Sequence, residues 1–180
     1  MTKKTSFELV SAMNIAFGNP KGEPTNINWE RVRAQFKNIG DEYAELLEAL
    51  GASQASVDAI RGINAMIKFD REPDLEGVRD ASRDVVVFAD GGHHLMGIDG
   101  DRDMASVING VMTRFVKDEH DLLATKEKHL NKGVVVVYTE GNYPTMILKS
   151  GTDQPDAPKD KFLKSASYAE PVFYDINETK

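Results

Sequence analysis

The sequence predicts a mainly α-helical bundle with a small C-terminal β appendage. Three observations predict it. Apolar residues recur at helical spacing through most of residues 1–132. The stretches between them carry helix-boundary residues, such as Asn28 before one run and Gly51, Gly97 and Gly133 after others. From Val134 onward the pattern changes to two short β-rich runs, "VVVVYTE" and "YPTMILKS", separated by "GN". The expected organisation is a helical bundle over 1–132 and a β-hairpin and tail over 133–180, packed on the bundle.

Taken in order, residues 5–16 read as a short helix with Phe7, Val10 and Ile15 on its apolar side. "FGNPKGEPTNIN" is a loop, dense in Gly, Pro and Asn. Asn28 is the expected N-cap of a long helix through Leu50, along which Val32, Phe36, Ile39, Tyr43, Leu46, Leu47 and Leu50 keep helical spacing. Ser53 to Lys68 forms a second helical pattern, and "DREPD" is a turn. A third long helix spans 74–97. Another runs over about 102–116, capped by Asp101 or Asp103, and a charged helix over 118–131 follows. The hairpin strands are 134–140 and 143–150, and 161–168 adds a third strand. There is no internal repeat and no low-complexity tract.

Composition narrows the function classes. Absence of cysteine removes disulfides, thiolate metal sites and cysteine nucleophiles, and fits a reducing compartment. No run approaches the roughly 18 apolar residues of a membrane span, and the start has no apolar signal region. The expectation is a cytoplasmic protein, or one of the host cytoplasm if phage-encoded, that does not bind membranes. A net charge of −7 disfavours a nucleic-acid partner, which requires a basic face. It leaves room for a small anionic substrate bridged to carboxylates by metal ions.

Two acidic groups stand out. "IGDEYAELLEAL" places Asp41, Glu42, Glu45 and Glu48 close together on one helix, and "RDASRDVVVFAD" sets Asp80 and Asp84 one turn apart where an apolar run begins. Like charges at i,i+4 destabilise a helix by roughly 0.2–0.5 kcal/mol. Local ion pairing is the ordinary explanation, through Lys37 with Asp41 and Arg83 with Asp80. Together, however, two long amphipathic helices each carry an acidic pair, and antiparallel packing brings Glu42, Glu45, Asp80 and Asp84 to one point. Carboxylate oxygens suit Mg²⁺ and Mn²⁺, and Mg²⁺ commonly links carboxylates to substrate phosphates. Such a site points to metal-assisted phosphate chemistry. "DGDRDMASVING" fails the EF-hand pattern, because its sixth position is Met104 and its twelfth Gly110. Adjacent helical His side chains diverge by about 100°, so "GGHH" makes a poor metal site. No P-loop, GxSxG or Rossmann fingerprint is present.

At these acidic residues the chain resembles the all-α nucleoside triphosphate pyrophosphohydrolases, the MazG-like and phosphoribosyl-ATP pyrophosphohydrolase-like superfamily. Asp41-Glu42-Tyr43-Ala44-Glu45 resembles its E-E-x-x-E motif, and Asp80-Ala81-Ser82-Arg83-Asp84 its second acidic motif in the "DALAD" form. "AFGNP", "VINGVMTRF", "KHLNKGVVVVY" and "KFLKSASYAEP" are similar to further elements of a phage or bacterial subgroup. The chain departs from the pattern at Asp41, at Ala81, at Val111 where the subgroup has Asn, and in an additional helix between Glu48 and Asp80.

The resemblance implies hydrolysis of an NTP or dNTP to its monophosphate and pyrophosphate, in a role cleaning or tuning a dNTP pool or, in a phage-type version, supplying a dNMP precursor. It implies two or three Mg²⁺ or Mn²⁺ ions on Glu42, Glu45, Asp80 and Asp84, with Glu42 or Asp41 orienting or deprotonating the attacking water. Arg114, Lys117, Lys149 and Lys164 are the candidate phosphate contacts. Asn109 is a candidate nucleotide contact in place of Val111, and Phe17, Trp29 or Asn14 is a candidate for meeting the base, with core packing the more ordinary role of the two aromatics. A homodimer or dimer of dimers is the expected assembly. Alternative readings are a related enzyme acting on phosphoribosyl-ATP or an alarmone, and a non-catalytic nucleotide-binding scaffold.

Overall fold

The computed structural model describes residues 4–173. Six helices precede a three-stranded antiparallel sheet: α1 (Ser6–Ala16), α2 (Trp29–Ala49), α3 (Gln54–Met66), α4 (Leu75–Met96), α5 (Gly100–Met112), α6 (Glu119–Leu130), then β1 (Val137–Glu140), β2 (Ile147–Ser150) and β3 (Phe162–Leu163). The mainly helical class and the C-terminal sheet agree with the sequence reading. No helix among the described residues is long and apolar enough to cross a membrane.

The caps explain the helix starts. Thr5 and Glu8 form a reciprocal capping box on α1. The side chains of Asn28, Ser53, Asp99 and Asp118 each accept a backbone N–H in the first turn of α2, α3, α5 and α6. Asp99 therefore caps α5, not Asp101 or Asp103, and the helix begins two residues earlier than predicted. It also ends earlier, at Met112. Phe115 and Val116 are buried off the helix, where the Val116 amide bonds to the Met146 carbonyl at 2.9 Å. Tertiary burial there outweighs the helical pattern.

The appendage departs further from expectation. β1 and β2 pair in register Val137↔Ser150 through Glu140↔Ile147, so the connection is residues 141–146 and not a two-residue "GN" turn. Pro144 has no N–H to give a ladder. Residues 134–136 do not join the ladder: the Gln154 side-chain oxygen accepts from Val135 N (2.7 Å) and Val136 N (2.9 Å). The expected third strand over 161–168 shrinks to Phe162–Leu163. Beyond it the backbone turns to the helices, with Ser165 N on Arg114 O and Ala166 N on Thr125 Oγ1.

The chain divides into two compact units. One is residues 22–86, comprising α2, α3 and the start of α4. The other joins 1–21 to 87–180 and includes α1, α5, α6 and the sheet. The boundary expected at 132/133 thus falls inside this second unit. The reason is a shared core: Val116, Leu122, Val134, Leu148, Ala157 and Leu163 form one buried cluster from both sides of that boundary. Phe17, Phe115 and Phe162 add an aromatic triad with centroids 4.7–5.8 Å apart. In the 22–86 unit α2 packs on α3, and Ala44 of α2 and Val57 of α3 are both fully buried.

Candidate functional site

Asp41, Glu42 and Glu45 lie on α2, and Asp80 and Asp84 on α4; all five are exposed and all belong to the 22–86 unit. The local ion pairs expected for these residues do not form. Lys37 reaches the Ala65 carbonyl at 3.4 Å, and Asp41 instead accepts from Asn64 Nδ2 at 2.8 Å. Glu48 pairs with Arg61 at 3.0 Å, and Glu76 takes Arg79 at 2.9 Å. Glu42, Glu45, Asp80 and Asp84 have no ion-pair partner among the described residues. Their donor chemistry, unpaired carboxylate oxygen, suits a hard divalent cation. No group of three or more His, Asp or Glu side chains close enough to share an ion occurs among the described residues. Glu42, Glu45, Asp80 and Asp84 thus do not form one such group in the single chain as described.

The cations predicted to contact phosphate lie in the other unit, and two of them converge. Arg114, just after α5, and Lys164, just after β3, both stand over the Tyr168 ring, at 5.7 and 4.1 Å from its centroid. Glu170 closes this group, accepting from Tyr168 Oη at 2.5 Å and from Lys164 Nζ at 3.3 Å. The Tyr168 hydrogen bond, then Lys164, hold the Glu170 carboxyl below its usual range. Arg114 Nε is buried with no hydrogen-bond partner among the described residues.

The other predicted contacts are dispersed. Lys149 is engaged by Glu140 at 2.6 Å. Lys117 uses its backbone N–H on Asp121 Oδ2, with its side chain exposed. Asn109 is exposed on α5. Of the candidate base contacts, Phe17 belongs to the aromatic triad, and Asn14 donates to the Val10 carbonyl at 3.0 Å.

Trp29 is different: it lines a pocket of about 430 Å³ in the 22–86 unit, with Phe36, Phe69, Arg33 and Arg71. The sequence reading missed this pocket. Its signal was present as two matching i, i+3, i+4, i+7 sets, Trp29-Val32-Arg33-Phe36 and Val78-Ala81-Ser82-Val85. No family model, no curated protein and no solved structure matches this chain.

Proposed function

We propose that the protein is a metal-dependent nucleoside triphosphate pyrophosphohydrolase acting on an NTP or dNTP. The observation that carries this reading is the pair of acidic groups on α2 and α4, at the spacing of the family's motifs and, among the described residues, without an ion-pair partner for Glu42, Glu45, Asp80 or Asp84. In this reading Glu42, Glu45, Asp80 and Asp84 hold Mg²⁺ or Mn²⁺. When bound, the ions neutralise the triphosphate and acidify a water. Glu42 takes the proton of the attacking water, since Asp41 is committed to Asn64.

A homodimer or dimer of dimers is part of the same proposal. Along α2 and its C-cap, Ile39, Tyr43, Leu46 and Leu50 follow i, i+4, i+7, i+11 and are 39–73% exposed among the described residues, an apolar stripe that a second copy would cover.

The test is pyrophosphate release from a panel of NTPs and dNTPs with Mg²⁺ or Mn²⁺. The expected products are the monophosphate and pyrophosphate, with Glu45→Gln lowering kcat by at least about 100-fold. Release from phosphoribosyl-ATP or an alarmone alone reassigns the substrate. No release from any of them, with nucleotide binding unchanged in Glu45→Ala, sinks the enzymatic reading and favours a scaffold.

A further inference from the structure

The pocket beside Trp29 is built differently from the carboxylate groups. Its walls are Trp29, Val32, Arg33 and Phe36 of α2 and Val78, Ala81, Ser82 and Val85 of α4, and residues 68–73 complete it. Each helix contributes an i, i+3, i+4, i+7 face, the pattern that ordinarily closes a helix–helix core. Here the faces stand apart around about 430 Å³, and Phe36, Phe69 and Val85 remain 39–50% exposed. That volume is within the roughly 300–1,000 Å³ range of small-molecule sites.

Two features define what fits. Trp29, Phe36 and Phe69 supply three aromatic rings to a largely apolar lining. Arg33 supplies an oriented cation: its guanidinium carbon lies 5.3 Å from the Phe69 centroid and its Nη2 donates to the Arg71 carbonyl at 2.9 Å. This anchoring leaves other guanidinium N–H groups available and lowers the entropy lost on binding an anion. The charged lining is Arg33, Lys68 and Arg71 against Asp70 and Glu72, a net +1 in a chain of net charge −7.

We infer that this pocket binds a small molecule made of a planar aromatic ring carrying an anionic group. The ring packs among Trp29, Phe36 and Phe69, and the anion meets Arg33. Nucleoside monophosphates and aromatic carboxylates share this chemistry. The site goes beyond the pyrophosphohydrolase reading. On α2 its face centres near Trp29 and Phe36, while Glu42 and Glu45 project roughly 130–170° around the helix from it at 100° per residue.

Trp29 is the only tryptophan in the chain, so its fluorescence reports the pocket directly. Titrations are made in EDTA, which removes any contribution from a metal-dependent site. The probes are the four common nucleoside monophosphates and benzoate, with adenosine as a ring without an anion and inorganic phosphate as an anion without a ring. Saturable quenching is expected from at least one ring-plus-anion probe, with its matching half-probe at least about tenfold weaker. The two ring-plus-anion arms separate a nucleotide from a carboxylate ligand. Arg33→Gln should weaken that probe about tenfold and leave adenosine unchanged. Ala81→Phe fills the pocket and should abolish the response, while Glu45→Gln should retain it. Absence of saturable quenching by every probe overturns the inference. So does quenching that survives both Arg33→Gln and Ala81→Phe, or that disappears in Glu45→Gln.

Discussion

Asn64 is a buried amide whose two hydrogen bonds cross between helices. Its Nδ2 donates to the Lys37 carbonyl at 3.1 Å and to Asp41 Oδ1 at 2.8 Å. Replacing it with leucine keeps the branched side-chain shape but removes the donor to the Lys37 carbonyl and the Asp41 carboxylate, which costs about 1–3 kcal/mol. The expected result is a lower urea midpoint for Asn64→Leu with an unchanged m-value. A midpoint equal to wild type would show that the amide contributes nothing to the pairing of α2 and α3. His129 is buried on α6, with Nε2 2.9 Å from the Lys164 carbonyl. Burial pushes its pKa down, with Lys128 and Lys132 adding to the shift against that hydrogen bond. A depressed folded pKa means that the unfolded chain takes up the proton first. The stabilisation is therefore complete above about pH 6.5, the unfolded value, and is lost as pH falls through the folded one. Wild type should have a lower urea midpoint near pH 5.5 than near pH 7.5, and His129→Gln should reduce that difference. Equal pH dependence in the two proteins would dismiss His129 as the titrating group.

At the scale of elements, two helical glycines make opposite predictions. A Cβ on Gly40 of α2 would lie 2.5 Å from Asn64 Cγ, whereas one on Gly62 of α3 meets nothing within 4 Å. Alanine gains up to about 1 kcal/mol of helix propensity at either site. At Gly40 the displaced Asn64 loses hydrogen bonds valued at about 1–3 kcal/mol, which outweighs that gain. Thermal unfolding should show Gly62→Ala more stable than wild type and Gly40→Ala less stable; the reverse order would refute the close approach. The helices themselves were legible in the sequence, because caps such as Thr5, Asn28, Ser53 and Asp118 and the αL glycines Gly51, Gly97 and Gly133 act locally. The strands were legible only as a region. Val134–Val136 has high β propensity, yet Gln154, from a distant loop, takes the Val135 and Val136 amides. Apolar runs set where a strand is favourable, and partners set where it forms.

At the scale of the whole molecule, exposed apolar side chains are abundant on α2, α3 and α4. Leu50, Ile63, Met66, Phe88 and Leu95 are 58–87% exposed. Exposed apolar side chains of this kind are what the proposed oligomer would bury. Sedimentation equilibrium is expected to give a dimer or tetramer at micromolar concentration, and Leu46→Glu with Leu50→Glu should shift it toward the monomer. A monomeric wild type would remove the homo-oligomer from the proposal.

The sequence by itself determined the helical class, five helices to within two residues at either end, the acidic residue types on α2 and α4, and the absence of cysteine chemistry. These follow from periodicity, caps and composition, which need no knowledge of distant neighbours. Only the tertiary structure decided that Asp41 serves Asn64, that Arg114 and Lys164 meet over Tyr168, and that Trp29 lines a pocket and not a closed core. Each depends on which surfaces residues far apart in the chain present to one another, and local pattern carries no information about that.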